Sequence, residues 1–188
     1  MRFTSISMKN YTLICGLILG FLGVAITGIT YGMGIQAMIS LWTTLMVFLL
    51  FTGLYLYFGF RFRKMNGGYL IFKEAFALLF FISVISSVIS GLFMIVLYHA
   101  INPALPGQLQ DAAIQKYIGW MQRFEVPKAQ IDEQVARMQL DPSQYTVGNQ
   151  LRGIAISFIW SAAVAAVLGL IVKRNPPPTL ENTLDQPE

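Results

Sequence analysis

The chain has 188 residues, of which 55% are hydrophobic and only 12% are charged, and its formal net charge is +4. A soluble domain carries about a quarter of its residues as charged groups, so this composition excludes an ordinary water-facing fold. The length accommodates one membrane domain, residues 1–174, with no second large core. The basic excess is not a nucleic-acid footprint. Arg61, Arg63 and Lys64, and again Lys173 and Arg174, stand just outside apolar runs, where basic residues set topology.

Asn10 to Phe60 contains no Asp, Glu, Lys or Arg. A helix needs roughly 20 apolar residues to cross the hydrocarbon core, so this stretch predicts two crossings joined at the glycines of Tyr31-Gly-Met-Gly34. The first span is expected over 11–30. Cys15 lies within it as the sole cysteine, which leaves no internal disulfide and no thiolate metal cluster. Ile14 is too large to precede a lipidated cysteine, and the apolar run continues to Ile29 without a small-residue cleavage site. Neither a lipoprotein signal nor a cleaved secretory signal is expected. Gly16 and Gly20 form a small-xxx-small pair, which lets two helix backbones approach closely. The pair fits either a seam between two copies or, as the plainer reading, packing against another helix of the same chain.

The second span is expected over 35–60, long enough to tilt at ~1.5 Å rise per residue. It closes on Tyr55, Tyr57, Phe58 and Phe60, followed by Arg61, Arg63 and Lys64. Asn66-Gly67-Gly68 signals a turn. Glu74 opens the third span, 75–98. A carboxylate in a first helical turn is favoured by the helix dipole, and the alternative role is proton or ion handling at the membrane edge. Ser83, Ser87 and Gly91 recur at four-residue spacing as a packing face. No charged side chain occupies the middle of any span, whereas pumps and coupled transporters keep such groups there. His99 is the sole histidine and has no further ligands with which to hold a metal.

Residues 101–149 form the water-facing insert. Leu109, Ala113, Tyr117, Trp120 and Phe124 recur at helical spacing. After Pro127, Ile131, Val135 and Met138 form the face of a second short helix. Tyr117, Trp120 and Phe124 are expected to fold onto that second face in a closed hairpin. The alternative is that they serve as aromatic anchors for a partner. The insert's net charge is −1 (Lys116, Arg123, Lys128 and Arg137 against Asp111, Glu125, Asp132, Glu133 and Asp141), which disfavours an anionic-lipid anchor. Asp141-Pro142 reads as an N-cap followed by Pro at N1. The fourth span is expected over 151–172, with Ser157, Ser161, Ala165 and Gly169 as its small-residue stripe. The proline-rich, acidic tail, 175–188, lacks the apolar residues needed to fold.

The expected fold is therefore an all-α integral membrane protein, with four transmembrane helices and a short amphipathic helical insert between the third and fourth. The distribution of basic residues places both termini and the 61–74 loop in the cytoplasm and the insert outside.

The Gly-rich first span, GGYLIFKEAF (67–76) leading into a serine-rich third span, the NPAL loop, the EVPKAQIDEQVARM stretch (125–138) and the Lys-Arg end of the fourth span form a pattern. It resembles the four-helix membrane family of Bacteroidetes-type bacteria known as domain of unknown function 4199. The resemblance implies the inner membrane of a diderm bacterium with the insert periplasmic, and it brings no catalytic residue. The residues themselves supply no nucleophile with a base in reach. No catalytic constellation, cofactor, metal or nucleic-acid partner is expected. The expected role is a non-enzymatic accessory, assembly or interaction subunit, with the lipid bilayer and a homo-oligomer or larger membrane complex as partners. A small transporter or channel is the alternative, supported by Thr43, Thr44, Thr52, Ser83, Ser86, Ser87, Ser90 and Glu74.

Overall fold

A computed structural model describes residues 8–139 and 146–175. The protein is an all-α membrane fold of seven α-helices among those residues: α1 Met8–Gly32, α2 Ile35–Met38, α3 Leu41–Met65, α4 Phe72–Val96, α5 Leu105–Arg123, α6 Lys128–Gln139 and α7 Val147–Val172. A π turn, Leu97–Ile101, extends α4. Four helices, α1, α3, α4 with its π turn, and α7, are long and apolar enough to cross a membrane. The shortest have 25 residues, or about 37 Å at 1.5 Å per residue, against a core of about 30 Å.

The bundle is built on α4, which packs along α1 on one side and α7 on the other. One face of α1 is buried (Tyr11, Thr12, Cys15, Gly16, Leu19, Gly20, Gly23), at the alternating three- and four-residue steps of a single helical stripe. The buried face of α4 comprises Ala75, Leu78, Leu79, Ile82, Ser83 and Ser86. By contrast α3 buries only Gly59 and Phe62. Its remaining apolar surface faces whatever surrounds the bundle, which for a span means lipid. The buried residues of α7 (Ala165, Leu168, Gly169, Val172) all lie in its last turns. The dense core therefore sits at the end that carries the basic residues.

That end is tied by backbone as well as by packing. Helix α3 stops at Gly67 and Gly68, with φ of 77° and 87°, a region that costs an L-residue with a Cβ roughly 1–2 kcal/mol. The Gly68 amide donates to the Arg63 carbonyl at 2.9 Å, closing the last turn. Leu70 and Arg174 then exchange two backbone hydrogen bonds, of 2.9 and 2.8 Å. Arg63 Nη1 donates to the Val172 carbonyl at 2.9 Å, satisfying one of the open carbonyls at the end of α7.

The other end is organised differently from the expectation. The second span begins at Leu41, not at residue 35, because Ile35–Met38 forms a separate turn of helix. Gly34, with φ of 99°, bends the chain into α2, and Ser40 in an extended conformation bends it out again. Helix α5 lies against α2. Leu97, Leu105 and Leu109 form a small second core there, with Tyr31, Ile35, Met38 and Ile39 packed on it. Helix α5 ends with Glu125 in the left-handed region (φ 56°). The Val126 amide reaches the Met121 carbonyl and the Glu125 amide reaches that of Gln122, both at 3.1 Å, a Schellman arrangement that turns the chain sharply into α6. The N-cap of α7 is Thr146, whose Oγ1 accepts from the Asn149 amide at 3.4 Å. Asp141-Pro142, the 176–188 part of the tail and the Met138 side chain lie outside the described residues.

Candidate functional site

The small residues of the spans stand at close helix approaches inside the chain. A Cβ on Gly16 would come within 2.7 Å of Ile85, and one on Gly20 within 2.6 Å of Ile89. The face of α1 that could have met a second copy is thus occupied by α4. Ser90 adds a long hydrogen bond across that contact, from its Oγ to the Gly20 carbonyl at 3.5 Å. On the other side of α4, a Cβ on Gly91 would come within 2.6 Å of Ile154. A Cβ on Gly169 would lie 3.4 Å from the Phe76 backbone, and Ala165, one turn earlier, is buried.

Polar groups inside the bundle are tied to it. Ser83 Oγ donates to the Phe80 carbonyl at 2.7 Å, and Ser86 Oγ to that of Ser83 at 3.0 Å. Tyr55 Oη and Ser86 Oγ meet at 3.1 Å across α3 and α4. Tyr11 Oη donates to the Phe58 carbonyl at 3.0 Å, linking α1 to α3. The sequence marks Tyr55 only as an interfacial aromatic at the end of the second span, and it does not single out Tyr11. Tyr11 at least carried a signal, because a tyrosine hydroxyl set in an apolar run must find a partner when buried. Between Tyr55, Leu79, Ser83, Ser161 and Leu168 remains a space of about 10 Å³, near the lower limit for a single water. Leu19, Leu78, Leu79 and Ile82 around the centre are at most 1% exposed.

Glu74 sits at the start of α4, half-buried, and its Oε2 accepts from the Ile71 amide at 3.4 Å. That is the geometry of a helix cap, in which the carboxylate meets both an open N–H and the positive end of the dipole. His99 is exposed on the π turn, with Nδ1 at 3.1 Å from the Ile95 carbonyl. Among the described residues no group of three or more His, Cys, Asp or Glu is placed to hold a metal ion.

Two grooves open on the surface toward the insert end. The larger, about 380 Å³, runs between α4 and α7 and is lined by Ser87, Met94, Tyr98, Gln150, Gly153 and Ser157 among others. It opens along the loosely packed part of α7, whose residues 147–163 are exposed or half-buried throughout, with Ile154 still seated against Gly91 of α4. Ser157 Oγ donates to the Ile154 carbonyl at 2.7 Å. Nothing lies within 4 Å of a Cβ built on Gly153.

The second groove, about 270 Å³, lies between α5 and the start of α3, lined by Ile39, Leu41, Thr44, Ala113, Lys116, Tyr117 and Trp120. Lys116 crosses its edge to donate from Nζ to the Ile39 carbonyl at 2.6 Å. Asn102 Nδ2 likewise donates to Tyr31 Oη at 3.2 Å. The insert therefore caps the connection between the first two spans. The expected closed hairpin of aromatics is not what forms. Trp120 is 48% and Phe124 74% exposed, while Leu109, Ile114 and Ile131 are buried instead. The apolar stripe of α5 is used at its start, where α2 covers it, and its aromatic end is left uncovered by α6.

This arrangement offers helix-docking and groove surfaces, with buried polar groups used for packing. Comparison with curated proteins and with solved structures gave no match. A family model does match, over residues 14–174, a stretch that takes in most of the first span, the other three and the insert. The chain belongs to the family described as protein of unknown function DUF4199.

Proposed function

We propose that the protein is a non-enzymatic interaction or assembly subunit of a bacterial inner membrane, with its basic end cytoplasmic and the α5–α6 hairpin periplasmic. The observation that supports this reading most is the open α4–α7 groove beside a filled bundle centre. Lipid supplies no hydrophobic drive for helix pairing, so association rests on close backbone approach and on hydrogen bonds between helices. Ser87, Gly153 and Ser157 bring both features to the groove. A span from a second copy or from another membrane protein would find small residues to lie on there. The centre, by contrast, is filled by Leu19, Leu78, Leu79 and Ile82, with a space of about 10 Å³ beside them among the described residues, which counts against the transporter reading.

Gly153→Leu is a direct test, because Gly153 lines the groove and nothing lies within 4 Å of a Cβ built on it, leaving the added side chain room to occupy the groove. In nanodiscs or mild detergent, the native protein should measure as an oligomer or carry a partner. The variant should be released as a monomer with an unchanged melting temperature. A native protein that is strictly monomeric and carries no partner would sink the proposal. Solute or ion flux through proteoliposomes above that of empty vesicles would favour a channel instead.

A further inference from the structure

We infer that the groove between α5 and the start of α3 binds the headgroup of an anionic phospholipid, with Lys116 as the cation that holds its phosphate. The inference does not depend on the assembly role. Lys116 is half-buried on α5, and an ammonium carries three donors. One of them is committed to the Ile39 carbonyl at 2.6 Å, which fixes the charge at the groove while leaving two donors to spend. Among the described residues the ion pair is Arg137–Glu133, so no carboxylate there neutralises Lys116. A partly desolvated, unpaired cation is costly unless an anion joins it.

The surroundings say which anion. Tyr117 and Trp120 line the same groove and bring a phenolic O–H and an indole N–H, both able to donate to a phosphate oxygen. Below them the wall continues into a largely apolar surface on α3, where Leu41, Leu45, Phe48 and Leu49 are 59, 44, 52 and 60% exposed. These positions repeat at three to four residues and so share one face of the helix. A ligand that fits has a phosphate at one end and long aliphatic chains at the other. Trp42, 73% exposed at the first turn of the span, marks the level of the headgroups, where tryptophan concentrates. The insert's overall charge of −1 is not that of a general basic anchor. The attraction is local, provided by one lysine held in place by the Ile39 carbonyl just after α2.

The test uses the full chain with Trp42→Phe and Trp160→Phe, leaving Trp120 as the reporter of the groove. It is reconstituted in vesicles containing bromine-labelled phosphatidylglycerol or bromine-labelled phosphatidylcholine, and Trp120 fluorescence is measured. Phosphatidylglycerol should bind about fivefold more tightly than phosphatidylcholine, the factor that one basic residue near an anionic surface contributes. Lys116→Gln, which can still donate to the Ile39 carbonyl, should bring that ratio to about one. Lys116→Arg and Arg123→Gln should keep it. Equal quenching by the two lipids in the native protein would overturn the inference, since it would mean ordinary contact with the bilayer. So would a preference that survives Lys116→Gln, or a Trp120 that neither lipid reaches because a protein segment covers it. Equal quenching in the native protein overturns the inference even if Lys116→Gln fails to fold, and in that case the Lys116→Arg and Arg123→Gln variants tell whether a native preference follows the charge at Lys116.

Discussion

The contact between α1 and α4 can be tested at Gly20. A Cβ there would lie 2.6 Å from Ile89 Cδ1, 2.9 Å from its Cβ and 3.1 Å from its Cγ2. The tip of Ile89 can rotate away, but its Cβ is fixed to the α4 backbone, so Gly20→Leu must push the two helices apart. Overpacking of a close contact costs about 1–3 kcal/mol, and a chain of this size loses about 2–4 °C of melting temperature per kcal/mol. Thermal unfolding in mild detergent should therefore fall by roughly 2–12 °C. Gly28→Leu is the control, on the same helix with nothing within 4 Å of its Cβ, and it should unfold close to the native temperature. Leu19→Ala is a poor control, because Leu19 is fully buried and its truncation opens a cavity of comparable cost. If Gly20→Leu and Gly28→Leu melt together, Gly20 faces lipid and the α1–α4 packing described above is wrong.

Trp120→Ala should leave the melting temperature unchanged, since the side chain is half exposed, while Leu109→Ala, buried on the same helix, should cost about 2 kcal/mol or more; equal losses would mean that the stripe is internal after all. Arg63→Ala removes the donor on the Val172 carbonyl, and a lost charge-assisted bond of about 1.5–3 kcal/mol predicts roughly tenfold to hundredfold faster amide exchange at Arg174 and Leu70, with no change expected at Leu19. Reporter fusions after Lys64 and after Glu188 should read cytoplasm and one near Gln130 periplasm. A cytoplasmic Gln130 fusion would reverse the proposed orientation.

What the sequence determined by itself is the solvent of each segment. Whether a run can cross a bilayer depends on its length and on its lack of charge, both local properties, and the four spans were legible for that reason. So was the Asn66-Gly67-Gly68 turn, because two adjacent positive φ angles need glycine. Glu74, too, could be read as a cap from its place in the first turn.

The tertiary structure alone decided which helix stands at the centre and which faces meet. In water the buried face of a helix announces itself by polarity, but in lipid the outside is as apolar as the inside. Leu45 and Leu78 look alike in sequence, yet one is 44% exposed and the other fully buried. Gly20 and Gly28 differ in the same hidden way, one pressed on Ile89 and the other open. On α5 the periodicity was visible, but nothing in it told that α2 would cover Leu109 while leaving Trp120 and Phe124 bare. That outcome depends on where two separate segments end in space, a relation between distant residues that no local pattern encodes.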